Sequence, residues 1–91
     1  MSVIALNVSC LSAADVAAVR PHIMSLIRRG IAERWDLDMS LDGYAAITVQ
    51  GSGGRVLFAI TKQHGAYCVA NAAGRPVLES RRLSDVLAVL S

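Results

Sequence analysis

Four side chains in this sequence, Cys10, His22, His64 and Cys68, carry the donors that bind transition metals, and two Cys with two His is a zinc-ligand count. Their spacing is wrong for a compact site. Cys10 and His22 stand alone, no Cys-x2-Cys or Cys-x4-Cys pair occurs, and His64 and Cys68 flank a turn whose length decides whether they meet. A Cys-His nucleophile pair has the same difficulty, because it needs hydrogen-bond contact and a third, orienting group. No nucleophile elbow and no His-Glu-x-x-His motif is present. We therefore expect no metal, no cofactor and no catalytic residues, and read Cys68 as a small apolar residue. Asp36 and Asp38 share one face of a strand pattern. Their role there is to solubilise an exposed face and discourage edge-to-edge pairing, ahead of any acid–base chemistry.

The basic residues offer a second kind of site. Arg28-Arg29 fall near the end of a first helical segment and Arg81-Arg82 just before a last one. If those ends lie together, their guanidiniums face an anionic partner. Against this, Glu33, Glu79 and Asp85 interleave with them, and only 4% of the residues are aromatic, few for stacking bases. A nucleic-acid-associated regulator is thus the alternative reading, not the first.

The elements that position these groups are clearest over residues 35–60. Trp35, Leu37, Met39 and Leu41 alternate with Asp36, Asp38, Ser40 and Asp42, the period of a strand with one buried face. Asp42-Gly43 then signals a hairpin into a β-forming run, residues 44–50. A two-residue loop mixes the faces. A three-residue loop, Leu41-Asp42-Gly43, pairs Met39 with Ala45, Leu37 with Ile47 and Trp35 with Val49, with Gly43 as the left-handed residue of a G1 bulge. Gly51-Ser52-Gly53-Gly54 lacks the Gly-Lys-Ser/Thr ending of a phosphate loop and leads into an extended run, so it reads as a turn. A four-residue loop there pairs Val49 with Val56, Ile47 with Phe58 and Ala45 with Ile60. These registers leave Tyr44, Ala46, Thr48, Leu57, Ala59 and Thr61 on the sheet's second face, bordered by Gln50 and Arg55. That small-residue face is the candidate partner-binding surface, unless a helix crosses it.

The flanks complete the pattern. Residues 3–8 suit a short edge strand at most. Ser12 and Asp15 have capping-box spacing, and Val16, Val19, Ile23, Leu26, Ile27 and Ile31 keep helical phase across Pro21, which predicts a kinked helix or two abutting ones; Gly30 is one stop, and a further turn over residues 31–34 is equally open. A two-residue turn at His64-Gly65 places Tyr67 and Val69 on the core face; a three-residue turn would place Cys68 and Ala70 there, and we favour the first because it buries the larger side chains. Asn71-Ala72-Ala73-Gly74 turns into a short strand, residues 77–80, and Ser84 caps a final helix with Leu83, Val86, Leu87 and Leu90 inward.

The fold expected is a single α+β domain over residues 1–91: an antiparallel four- to five-stranded β-meander with an N-terminal Pro-kinked helix and a short C-terminal helix. Hydrophobic residues make up 54% and charged ones 18% of the chain, below the usual quarter or so, so polar cover is thin and apolar surface is expected to be shared. The net charge of +2 neither demands nor excludes nucleic acid. No positive residue precedes the short apolar run at the N-terminus, and no run approaches the roughly 18 residues of a membrane span, which makes cytoplasmic the default location. These features point to a small non-enzymatic protein-binding or adaptor module, acting as a homodimer or with one protein partner and without a membrane.

Overall fold

The computed structural model describes residues 10–39 and 43–90. The expected strand at residues 3–8 lies outside them. The chain runs α1 (Ala13–Arg28), β1 (Arg34–Met39), β2 (Tyr44–Gln50), a 3-10 turn (Ser52–Gly54), β3 (Val56–Gln63), β4 (Ala66–Asn71), β5 (Pro76–Ser80) and α2 (Leu83–Leu90). The strands form one antiparallel sheet in the order β1-β2-β3-β4-β5, so the α+β meander holds with five strands.

Helix α1 begins as its sequence dictates. The Ser12 hydroxyl accepts from the Asp15 N–H at 3.1 Å, and the Asp15 carboxylate accepts from the Ser12 N–H at 2.9 Å. It passes Pro21 as one helix, with the proline on the exposed side. Gly30, at φ +78°, ends it in a Schellman motif: its N–H donates to the Ile27 carbonyl and that of Ile31 to the Leu26 carbonyl. Helix α2 starts two residues before the Asp85 that a Ser84 cap would imply. Ser84 lies inside it, and its first turn is anchored from outside, by an Asp85 N–H bond to the Arg82 carbonyl and by Ser80, whose hydroxyl donates to the Asp85 carboxylate.

Across the sheet, Leu37, Ile47, Ile60, Val69 and Leu78 lie side by side in register, and Trp35, Val49 and Phe58 form a second row. Val16, Val19, Ile23 and Leu26 from α1 and Val86 and Leu90 from α2 pack with these rows into a single core. Both helices therefore cover the same face.

Four expected pairings shift: Met39–Ala45, Val49–Val56, Ile47–Phe58 and Ala45–Ile60. In the first hairpin Leu37–Ile47 and Trp35–Val49 form as expected, but Met39 pairs with Tyr44 and Ala45 is left unopposed. Met39, 70% exposed, leaves the core. Leu41 and Asp42 lie outside the described residues. Glycine at position 43 answers to a close approach: a Cβ there would sit 2.5 Å from the Leu11 carbonyl oxygen, where Leu11 and Tyr44 exchange two backbone hydrogen bonds. In the second hairpin the loop spans Gly51 to Arg55, closed by the Gly51 N–H donating to the Arg55 carbonyl at 2.7 Å, so Val49 pairs with Phe58 and Ile47 with Ile60. That is a two-residue slide, which preserves face parity for Phe58 and Ile60. It removes Val56 from the core and makes Leu57 the extra residue of a bulge. His64 and Gly65, both at positive φ, form the expected two-residue turn, and Tyr67 and Val69 are buried.

Ile60 is fully buried at the centre of the long row. Ile60→Ala is expected to cost about 2–5 kcal/mol, read as a lowered urea midpoint with an unchanged slope. A loss below 1 kcal/mol would mean that this row is not the core.

Candidate functional site

Strand alternation puts Ala46, Thr48, Ala59 and Thr61 together at the middle of the face opposite the helices, with Thr48 beside Ala59 and Ala46 beside Thr61. Register extends this patch through Cys68 and Ala70 on β4 and to Asp36 and Asp38 on β1. Two members of the expected set do not belong to it. Leu57 packs against the core, because the bulge turns it towards the helices, where its methyls lie beside Gly51. Tyr44 also packs against the core, pinned by its backbone bonds to Leu11. Arg34 joins the face at its rim, its Nε donating to Gln50 Oε1 at 2.6 Å. The four central side chains are half-buried, and both helices pack with the other face.

The arginine pairs do not converge. Asp15, near the start of α1, accepts a hydrogen bond from Tyr67, which pairs with Ser80, which in turn bonds Asp85 in the first turn of α2. At the other end Leu26 and Arg29 share a cavity wall with Val89 and Leu90. The helices thus run in the same direction. Arg28-Arg29 and Arg81-Arg82 lie at opposite ends, separated by most of the 16 residues of α1, roughly 24 Å. Arg82 lies 3.8 Å from Asp85, exposed, where such a pair contributes little.

His64 is exposed at the tip of its turn, while Cys68 is half-buried on the open face. Among the described residues no group of three or more His, Cys, Asp or Glu is placed to hold a metal. Comparisons with protein-family models, with curated proteins and with solved structures return no match. Among the described residues no helix is long and apolar enough to cross a membrane.

One buried ionisable cluster was not anticipated. The Asp15 carboxylate, besides capping α1, accepts from the Tyr67 hydroxyl at 2.7 Å and lies 3.7 Å from the Lys62 ammonium, which also sits 5.0 Å from the centre of the Tyr67 ring. Burial alone would raise the Asp15 carboxyl, but the Ser12 N–H, the Tyr67 hydroxyl and the Lys62 charge outweigh it and hold the group below its ordinary value. Burial, then the bond to Asp15 and its charge, push Tyr67 up to about 12. Among the described residues no buried side-chain polar atom lacks a partner. The cluster is a strut between α1 and the sheet.

The signs of these shifts fix its response to pH. Asp15, depressed in the folded state, contributes stability that is complete above the ordinary carboxylate range and is lost as pH falls through its folded value. Tyr67, raised, contributes stability that is complete below 10 and is lost as pH rises from 10 towards about 12. Tyr67→Phe is expected to cost about 1–3 kcal/mol at neutral pH, by leaving a charged acceptor short of a donor. It should also flatten the alkaline loss of stability. Urea denaturation between pH 7 and 12 reads both effects, and an alkaline slope equal to that of the wild type would exclude Tyr67 as its source.

Proposed function

We propose that this chain is a small non-enzymatic binding module that associates with a second copy of itself through the open sheet face. The observation that carries this reading is the placement of both helices on one side of a five-stranded sheet. The opposite side is left with a smooth centre of Ala46, Thr48, Ala59 and Thr61. Small side chains let two such sheets approach to the roughly 10 Å of face-to-face packing, with strands within about 30° of alignment.

The rim favours a copy of the same chain. A two-fold axis running across the strands lays β1 over the reversed β1 of the second copy, so Arg34 of each meets Asp38 of the other. Asp36, midway between them, then faces its own copy, which limits the strength of pairing. Five strands about 4.8 Å apart, with the seven residues of β2 at about 3.4 Å each, give a face of roughly 450 Å², smaller than the roughly 800 Å² per partner of a stable interface. The expected dimer is weak and reversible. The alternative, a nucleic-acid regulator using Arg28, Arg29, Arg81 and Arg82, needs the two helix ends to converge and has no observation in its favour.

Sedimentation velocity over a wide concentration range tests the proposal. The wild type should pass from monomer to dimer with rising concentration, and Thr48→Lys or Ala59→Glu should hold it monomeric with an unchanged melting temperature. Arg34→Glu should weaken the dimer, and adding Asp38→Arg should restore it. A wild type that stays monomeric throughout, or a dimer indifferent to Ala59→Glu, would refute this assignment.

A further inference from the structure

On the helix side of the sheet, where α1 and α2 both end, lies a cavity of about 400 Å³. Its floor is core: Val69, only 2% exposed, with Leu26 and Leu90. Its mouth is ringed by Ile31, Val77 and Val89, which are 49%, 58% and 51% exposed. These are three of the six large hydrophobic residues that the described chain leaves exposed, and they gather at one opening. Isolated exposed apolar side chains are ordinary; a ring of them around an apolar hollow is not. The volume falls in the range of small-molecule sites.

The local structure explains the hollow. The Schellman turn at Gly30 folds Ile31 back against Leu26, which makes one wall and holds Arg29 at the lip. The β-bulge turns Leu57 inward beside Phe58 to make the opposite wall. Val89 and Leu90, in the last turn of helix α2 (Leu83–Leu90), complete the lining.

Polarity selects the occupant. The polar residues that line the cavity are Arg29 and Asn71, and among the described residues no acidic one lines it. Asn71 Oδ1 is taken by the N–H groups of Ala73 and Arg75, which leaves its amide as a donor. No carboxylate of the described chain pairs with the Arg29 guanidinium, whereas Arg82 and Lys62 each have one. An apolar hollow lined also by Arg29 and Asn71 complements an alkyl body ending in an anionic group, of which a carboxylate is the simplest.

We propose that this cavity binds a free amphipathic carboxylic acid of medium chain length, its alkyl part among Leu26, Leu57, Val69 and Leu90 and its carboxylate on Arg29. This site lies on the opposite side of the sheet from the proposed dimer face and stands or falls independently of it.

Methyl-resolved NMR titration with octanoate below its micellar concentration tests this. The expected result is saturable shifts confined to Leu26, Leu57, Val69, Val77 and Leu90, with tightening from hexanoate to decanoate by up to about fourfold per methylene. Octanol should bind more weakly than octanoate, and octylammonium most weakly. Arg29→Leu should cost octanoate roughly tenfold and leave octanol unchanged. Arg28→Leu should affect neither. Val77→Glu, at an exposed rim position, should oppose the carboxylate without unfolding the protein. Absence of saturable binding would overturn the proposal. So would shifts spread over the sheet's other face, equal affinity for octanoate and octylammonium, or octanoate binding unaffected by Arg29→Leu.

Discussion

The Asp15–Tyr67 hydrogen bond ties the parts of this molecule together. Asp15 is a buried carboxylate, expensive to desolvate unless every lone pair is occupied. Its occupants come from three elements: the Ser12 N–H at the start of α1, the Tyr67 hydroxyl on β4 and the Lys62 ammonium on β3. Satisfying one charge therefore fixes where α1 begins over the sheet. From there the 16-residue helix can only run towards the cavity end, and Leu26 arrives where α2 also stops. Tyr67 is bound in register to Ser80, which holds the first turn of α2 through Asp85, so the same constraint orients the second helix. Two helices set parallel on one face is the consequence, and among the described residues neither helix is then left for the second face.

What the sequence makes legible is whatever is local or parity-dependent. The capping box, the two-residue turn at His64-Gly65 and the inward set of α2 are decided within a few residues, and each forms as their chemistry requires, while Gly30 ends α1 where the residue pattern leaves a further turn over residues 31–34 equally open. Face parity also survives. Leu37, Ile47, Phe58, Ile60 and Val69 reach the core although one hairpin slides by two residues, because an even slide changes partners but not sides. Bulges are the opposite case. Ala45 and Leu57 each change what alternation predicts, and a bulge is settled by strand twist and loop closure, which leave little trace in residue type. Tyr44 and Leu57 left the expected binding face for that reason.

Long-range electrostatics was the least legible layer. Asp15 reads from sequence as a cap, and Tyr67 as a core residue. Their meeting spans 52 positions and depends on the helix direction that it helps to set. The arginine pairs illustrate the same limit from the other side. Similarity of type and position at two helix ends suggested one patch, but parallel helices put their ends of unlike kind at opposite poles. Only antiparallel helices would have brought the last turn of α1 beside the first turn of α2.

The two candidate surfaces follow from one shortage. Among the described residues the two helices cover one face of the five-stranded sheet, and the end of that face where both helices stop is left hollow. The uncovered end lies against Val69 and Leu90, residues of the core itself, so an occupant there extends the core and stabilises the fold by mass action. The uncovered second face is different in kind. It is made of alanines and threonines with charges at the rim, and a partner there adds little to the core. Ligand at the cavity should therefore raise thermal stability, whereas pairing at the second face should change mass more than melting. The two surfaces are thus separable by physical signature as well as by position.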